Sequence, residues 1–179
     1  MEKDFLDIRN IPTKADAEYP FVGEWNDVHQ LTSKNNRIYV NQGHSQRSVD
    51  GSVLGSSGFG KCTAIVIQNE SSPESYLLHL SDDRPTDKDY EEMDKLTPGE
   101  YTITFVIGGM SRVSKDTLTN KSISYFLHNF EKNGRKSKIN DQIVVPSGNE
   151  HWSLSYDSED KKIKVFTRKD KMVREYKTK

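Results

Sequence analysis

The single cysteine of the chain, Cys62, directly follows Lys61 and the glycine-rich stretch 55–60. Gly55, four residues, Gly60 and Lys61 fit the start of the phosphate-binding pattern G-x-x-x-x-G-K-[ST], but Cys62 stands where the pattern needs a hydroxyl to bind magnesium. A phosphate loop also needs a helix after it, whereas TAIVI at 63–67 is apolar and mostly β-branched, which predicts a strand. Cys62 and the predicted strand after it therefore argue against nucleotide binding.

A thiol at this place favours nucleophilic chemistry. A glycine-rich turn can expose the sulfur and point the backbone N–H groups of Gly60 and Lys61 at one spot, where they would hold the oxyanion of an acyl-transfer intermediate. The positive charge of Lys61 would favour the thiolate form of Cys62. The alternative is that Cys62 is a small buried hydrophobic side chain, as most lone cysteines are.

Catalysis by a thiol also needs a base within hydrogen-bond reach, and five histidines are available. His79 lies in SYLLHL at 75–80, which predicts the return strand of a hairpin whose first strand begins directly after Cys62. Neighbouring strands lie about 4.8 Å apart. The predicted hairpin therefore places His79 close to Cys62.

A second histidine offers a different partner for the thiol. His151 opens the segment HWSLSY, and Asp157 follows it. This segment resembles the histidine-containing strand of papain-like cysteine hydrolases, which implies Cys62, His151 and Asp157 as an alternative catalytic set. In papain-like enzymes the cysteine opens a helix, which TAIVIQNESSP does not favour. A third interpretation is a non-catalytic protein-binding module in which Cys62 is structural.

The elements that must position these residues predict an α+β fold dominated by strands. Thr86 is a candidate N-cap for one helix, and Asn133-Gly134 a candidate C-cap for the other. The segment 43–58, rich in Gly and Ser, predicts turns. Helices are predicted at 86–96 and 117–132, and strands at 37–42, 63–67, 75–80, 101–107, 142–145, 151–156 and 162–167.

Composition bounds the class of protein. The 179 residues suit one domain, and the mean hydropathy of −0.83 describes a polar but foldable chain. No apolar run approaches the roughly 20 residues of a membrane span, and the first residues lack the pattern of a secretory signal. One cysteine cannot form an internal disulfide, so we expect a reducing, cytoplasmic compartment.

Charge is unevenly distributed along the chain. The net charge is −1, yet residues 161–179 hold nine Lys and Arg against Asp170 and Glu175. Such a segment suits nucleic acid, phospholipid or an acidic protein surface. Without interleaved aromatic residues or zinc-binding spacing it does not point to nucleic acid. We interpret it as a solvated last strand followed by a basic tail.

The stretch from Ser56 to Cys62, taken with His79, resembles the chemoreceptor glutamine deamidase CheD and, more distantly, the deamidating domain of the cytotoxic necrotizing factors. In that superfamily a glycine-containing loop ends in the cysteine before a strand, and the histidine follows seventeen residues later, the interval found here. Ser56 stands six residues before Cys62, where the family has its hydroxyl residue. The later order of elements, including a strand that ends at Gly108-Gly109, is similar as well.

The resemblance implies a β-sandwich-like arrangement of mixed sheets flanked by two main helices. The resemblance spans a catalytic domain at 37–168. Phe21 and Trp25 suggest that the N-terminal extension (1–36) packs on the body, and residues 169–179 form a basic C-terminal tail. The implied activity is protein glutamine deamidation: Cys62 attacks a glutamine carboxamide, His79 transfers protons, and Ser56 orients His79 or binds the substrate amide. The protein substrate presents a glutamine side chain, and no metal or cofactor is required.

The chain departs from the family pattern in its loop and around the histidine. Ser56 replaces threonine, Lys61 replaces serine, and LLHLSD replaces the usual ending of the histidine strand. These departures indicate a target other than chemoreceptors. They suggest an effector or toxin that is delivered into the cytosol of another organism.

Overall fold

Strands make up most of the described part of the chain, and two helices cover one face of sheet 1, defined below. The computed structural model describes residues 13–14, 21–24, 37–81, 85–108, 117–145, 150–167 and 172–178. The helices in these ranges are α1 (Asp87–Asp94) and α2 (Thr117–Phe130). The strands are β1 (Thr13–Lys14), β2 (Phe21–Glu24), β3 (Arg37–Tyr39), β4 (Ser45–Ser48), β5 (Val53–Phe59), β6 (Thr63–Asn69), β7 (Ser75–Leu80), β8 (Gly99–Gly108), β9 (Arg135–Val145), β10 (Trp152–Asp157), β11 (Lys162–Thr167) and β12 (Met172–Lys177).

The strands form two mixed sheets. Sheet 1 has the order β1-β9-β8-β6-β7-β4, in which β9 pairs in parallel with β1 and β8 and the other neighbours are antiparallel. Sheet 2 has the order β2-β12-β11-β10-β5-β3, in which only β3 and β5 pair in parallel. The prediction of an α+β fold with mixed sheets and two main helices is confirmed.

Sheet 1 is the middle of three layers. Between the sheets lies one core, to which β6 contributes Ala64 and Val66. On the other face of sheet 1 a second core joins Ile65 and Ile67 of the same strand to side chains of α1 and α2. Since successive side chains of a strand point to opposite faces, β6 is buried on both, which explains why TAIVI is apolar throughout rather than alternating.

Local sequence signals mark the helix ends. Thr86 caps α1 through a capping box with Asp89, as its position before acidic residues predicts. Beyond α2, Asn133 and Gly134 take left-handed backbone angles (φ of 61° and 77°), which end a helix at little cost when one of them is glycine. The predicted cap residues are therefore found at the start of α1 and just beyond the end of α2.

The structure differs from the sequence-based expectation in the segment 43–58. Instead of turns alone, it contains β4 and most of β5. Strand β5 is held by β10 on one side and by β3 on the other. Backbone pairing with distant strands thus overrides the low strand propensity of its Gly and Ser residues.

Described parts of both ends of the chain belong to the sheets. Residues 172–177 of the supposed basic tail form β12, which pairs with β11 on one side and β2 on the other. The described pieces of the N-terminal extension are β1 and β2, one in each sheet. Gly109, which the family resemblance used, lies outside the described residues.

Candidate functional site

The hairpin of β6 and β7 brings Cys62 and His79 to the same face of sheet 1. Ala64 is the direct partner of His79 in the strand register, and Cys62 lies two residues before Ala64. Diagonal neighbours of this kind have Cα atoms about 7–8 Å apart, within reach of long side chains. Cys62 and Ala64 both belong to the core between the sheets, and the imidazole of His79 enters the same core, where it stacks on Phe59.

Ser56 reaches His79 from the opposite sheet. Its position in β5 directs the hydroxyl across the core, where Oγ lies 2.8 Å from Nδ1 of His79. The same hydroxyl donates a hydrogen bond to the backbone oxygen of Val40 at 2.6 Å. Because a serine hydroxyl has a single proton to donate, Ser56 must accept from Nδ1–H of His79. The hydrogen bonding therefore selects the tautomer in which Nε2 is unprotonated.

The remaining ring nitrogen of His79 has unused acceptor capacity. The side chain of His79 is completely buried, and Nε2 finds no hydrogen-bond partner among the described residues. Leaving a buried polar atom unsatisfied costs about 1–3 kcal/mol, so such an atom calls for an explanation. A nitrogen that accepts a proton during a reaction would explain it.

Burial also sets the charge of His79. Removal from water lowers the pKa of His79 from 6.5 to about 3, because the imidazolium loses its hydration without gaining a charged partner. His79 is therefore neutral at pH 7. Its lone pair on Nε2 is available to a proton donor at that pH.

Aromatic rings hold the imidazole of His79 in place. Phe59, the last residue of β5, stacks on it with ring centroids 3.6 Å apart and planes inclined by 13°. Trp152 stacks on the other side of Phe59 at 4.2 Å. Trp152 Nε1 is a second buried polar atom without a partner among the described residues. Stacking on one face and the Ser56 hydrogen bond at the edge leave the imidazole little freedom to rotate.

The segment 40–44 contacts each of Ser56, Cys62 and His79. The backbone carbonyl of Val40 accepts a hydrogen bond from the hydroxyl of Ser56, and Gln42 Nε2 lies 3.7 Å from the sulfur of Cys62. The backbone of His79 is bonded by Gly43 N–H and by the carbonyl of His44, each at 3.0 Å. Sequence reasoning missed Val40, Gln42, Phe59 and Trp152, and no local pattern marks them.

The surroundings of Cys62 differ from the predicted exposed turn. Strand β5 continues to Phe59, so only Gly60 and Lys61 connect it to Cys62. Lys61 is exposed and Gly60 is buried, and the side chain of Cys62 is only 6% exposed. The thiol thus lies beneath the surface, because both ends of the connection belong to strands whose side chains enter the core.

The alternative set of Cys62, His151 and Asp157 is only partly brought together. The exposed ring of His151 lies beside Gly60, with Cε1 3.1 Å from where a Cβ of residue 60 would be. Asp157 stands at the far end of β10, roughly 20 Å from His151 at about 3.4 Å per residue. There its carboxylate accepts the backbone N–H groups of Glu159 and Asp160. The predicted strand at 151–156 already implied this separation.

Other classes of site find little support in the described residues. No group of three or more His, Cys, Asp or Glu in these ranges is arranged to hold a metal ion. Neither described helix has the length and apolarity to cross a bilayer. Comparison of the chain with models of known protein families and with curated proteins gives no match.

Proposed function

We propose that this protein is a cysteine-dependent glutamine deamidase that converts a glutamine side chain of a target protein to glutamate. The observation that carries the proposal is the hydrogen bonding of His79. Ser56 bonds both the Val40 carbonyl and Nδ1 of His79, and the buried Nε2 has no partner among the described residues. The only cysteine of the chain lies two residues before Ala64, the strand partner of that histidine. A nucleophile, a base and an orienting hydroxyl are the minimum set for acyl transfer.

The first half of the reaction forms a thioester. The sulfur of Cys62 bonds to the carboxamide carbon of the substrate, and its proton passes to Nε2 of His79. Since burial disfavours the imidazolium, the proton moves to Nε2 only as the carbon–sulfur bond forms. The C=O electrons move to oxygen, which becomes an oxyanion in need of hydrogen-bond donors.

The same burial helps the leaving group depart. An imidazolium whose pKa is depressed to about 3 is more acidic than a free imidazolium, so it more readily gives its proton to the amide nitrogen. The carbon–nitrogen bond breaks, ammonia leaves and the thioester remains. Water then attacks this thioester while His79 accepts one of its protons. Collapse releases glutamate and returns the proton to the sulfur, so that one water is consumed and one ammonia is produced.

The compartment and target class follow from the chemistry and from the resemblance. A thiol nucleophile must stay reduced to work, which suits a cytosol. The departures from the CheD-like loop favour a target other than chemoreceptors. We therefore extend the proposal to an effector that acts on a protein of a host cell.

The decisive test is the mass of glutamine-containing peptides after exposure to the protein. We expect incubation with a host cytosolic extract to convert specific glutamines to glutamate, a shift of about +1 Da per site from amide hydrolysis. Cys62→Ser and His79→Ala should each abolish the shift. Shifts of equal extent with the wild type and Cys62→Ser would refute the proposal.

A further inference from the structure

Gln42 places its side-chain amide against the sulfur of Cys62. Nε2 of Gln42 lies 3.7 Å from Sγ, and the two residues are 20 positions apart in the chain. Gln42 itself is exposed, whereas Cys62 is buried beneath it. The amide therefore lies on the side from which a substrate in solution would approach the sulfur.

The backbone on either side of Gln42 is firmly attached. Val40 donates its N–H to the carbonyl of Gly55 at 2.7 Å and accepts the hydroxyl of Ser56. Gly43 donates its N–H to the carbonyl of His79 at 3.0 Å and has a left-handed φ of 74°. These bonds join the segment to strands of both sheets. The donor of Gln42 is thus preorganised relative to the nucleophile and the base.

We propose that Gln42 is a catalytic residue whose Nε2–H donates a hydrogen bond to the oxyanion formed when Cys62 is acylated. This inference rests on the proposed acyl-transfer function and adds a side-chain donor to the backbone N–H groups considered from the sequence. The carbon under attack bonds to Sγ, and the oxyanion is one bond from that carbon. A donor in contact with the sulfur is therefore within reach of the oxygen. Side-chain amides serve this role because they donate without carrying a proton that titrates.

The electron balance of the step is the same for any acyl donor. The sulfur–carbon bond forms, the C=O π electrons move to oxygen, and the thiol proton goes to Nε2 of His79. Gln42 stabilises the negative oxygen. When the C=O bond reforms, the leaving group takes its electron pair, as ammonia after protonation or, with an activated ester, as the alcoholate.

Two reagents separate oxyanion stabilisation from activation of the thiol. Alkylation by iodoacetamide displaces iodide at an sp³ carbon and forms no oxyanion at the reacting carbon, so its rate reports the Cys62–His79 pair alone. Acylation by p-nitrophenyl acetate passes through a tetrahedral oxyanion and releases p-nitrophenolate as a burst. We expect Gln42→Ala and Gln42→Glu to slow the acylation burst about 10²- to 10³-fold, the usual cost of one lost oxyanion donor. Alkylation of Gln42→Ala should change less than about threefold.

Gln46→Ala is the matched control, because Gln46 is also an exposed glutamine and lies on neighbouring β4. Both of its rates should equal those of the wild type. If Gln42→Ala slows neither reaction, or slows both equally, the oxyanion role is overturned. The same holds if the wild type is alkylated but never acylated. If His79→Ala is alkylated as fast as the wild type, the nucleophile–base pair fails, and with it the proposed function itself.

Discussion

Ser56 on sheet 2 and His79 on sheet 1 are joined across the core by a hydrogen bond of 2.8 Å between Oγ and Nδ1. Neither strand could orient the imidazole alone, since the bond exists only when the two sheets are packed. The orientation of the His79 imidazole thus depends on the packing of sheet 1 against sheet 2. The same residues that complete the core therefore complete the candidate site.

Replacing Ser56 tests this link. Ser56→Ala removes the partner of both His79 Nδ1 and the Val40 carbonyl, so we expect the free energy of unfolding in urea to fall by about 1–3 kcal/mol. Alkylation of Cys62 should slow at least tenfold, because His79 loses its orientation. Ser56→Thr keeps the hydroxyl and should recover most of the rate. Ser155→Ala, which removes a buried serine opposite Gly55, should leave alkylation unchanged.

The depressed pKa of His79 predicts a pH dependence of stability. The unfolded chain binds a proton on this residue below pH 6.5, whereas the folded protein does so only near pH 3. Between these values the unfolded state holds more protons, so stability falls as pH falls, by about 1.4 kcal/mol per pH unit well inside the window. When the free energy of unfolding is measured in urea between pH 5 and 7, it should change less with pH in His79→Leu than in the wild type. His128→Gln, at an exposed histidine, should keep the wild-type pH dependence, and equal pH dependence in the wild type and His79→Leu would contradict the assignment.

Phe59 links stability to reactivity through its stack with His79. Phe59→Leu should destabilise the protein by about 1–2 kcal/mol, because it leaves a cavity in a fully buried site. It should also slow alkylation of Cys62, since the imidazole is no longer held on its face. Phe105→Leu is the matched control, because Phe105 is equally buried but faces the helices. A similar loss of stability without loss of reactivity is expected there.

The papain-like alternative makes opposite predictions for the second histidine. His151→Ala removes an exposed ring beside Gly60 and should change the acylation rate by less than about fivefold. Asp157→Asn should leave that rate unchanged and weaken only the turn between β10 and β11, by less than about 1 kcal/mol. Loss of acylation in His151→Ala, with full activity in His79→Ala, would favour the papain-like assignment instead.

Arg135 gives a prediction about stability away from the site. Its buried guanidinium donates hydrogen bonds to backbone carbonyls at the ends of both helices, those of Phe130, Met93 and Leu96. It also forms an ion pair with Asp94 at 3.0 Å. Arg135→Met removes these buried hydrogen bonds, although the Met93 carbonyl still accepts the backbone N–H of Leu96. Unfolding in urea should therefore show a loss of about 1–3 kcal/mol. Lys136→Met, at the exposed neighbour, should change stability by less than about 0.5 kcal/mol. Alkylation of Cys62 in the folded Arg135 variant should be unchanged, because the helices lie on the other face of sheet 1.

Much of the fold was predictable because its signals are local. The hairpin of β6 and β7, the helix α1 with its Thr86 cap, and the strand Lys162–Thr167 follow from apolar runs, capping residues and turn residues close together in the chain. Strand β5 was not predictable from its Gly and Ser content. Its partner β10 lies almost a hundred residues further on, and no local pattern reports such pairing.

By itself the sequence determined the hairpin of β6 and β7, which joins Cys62 to His79. Seventeen residues and one short turn join them, and the alternation of side chains along paired strands puts both on one face. Only the tertiary structure decided the rest of the site. The Ser56 bond, the Phe59 stack, the contact with Gln42 and the burial of Cys62 all arise where separate strands meet. Those contacts depend on how two sheets pack, a relationship between distant segments that spacing within one segment does not encode.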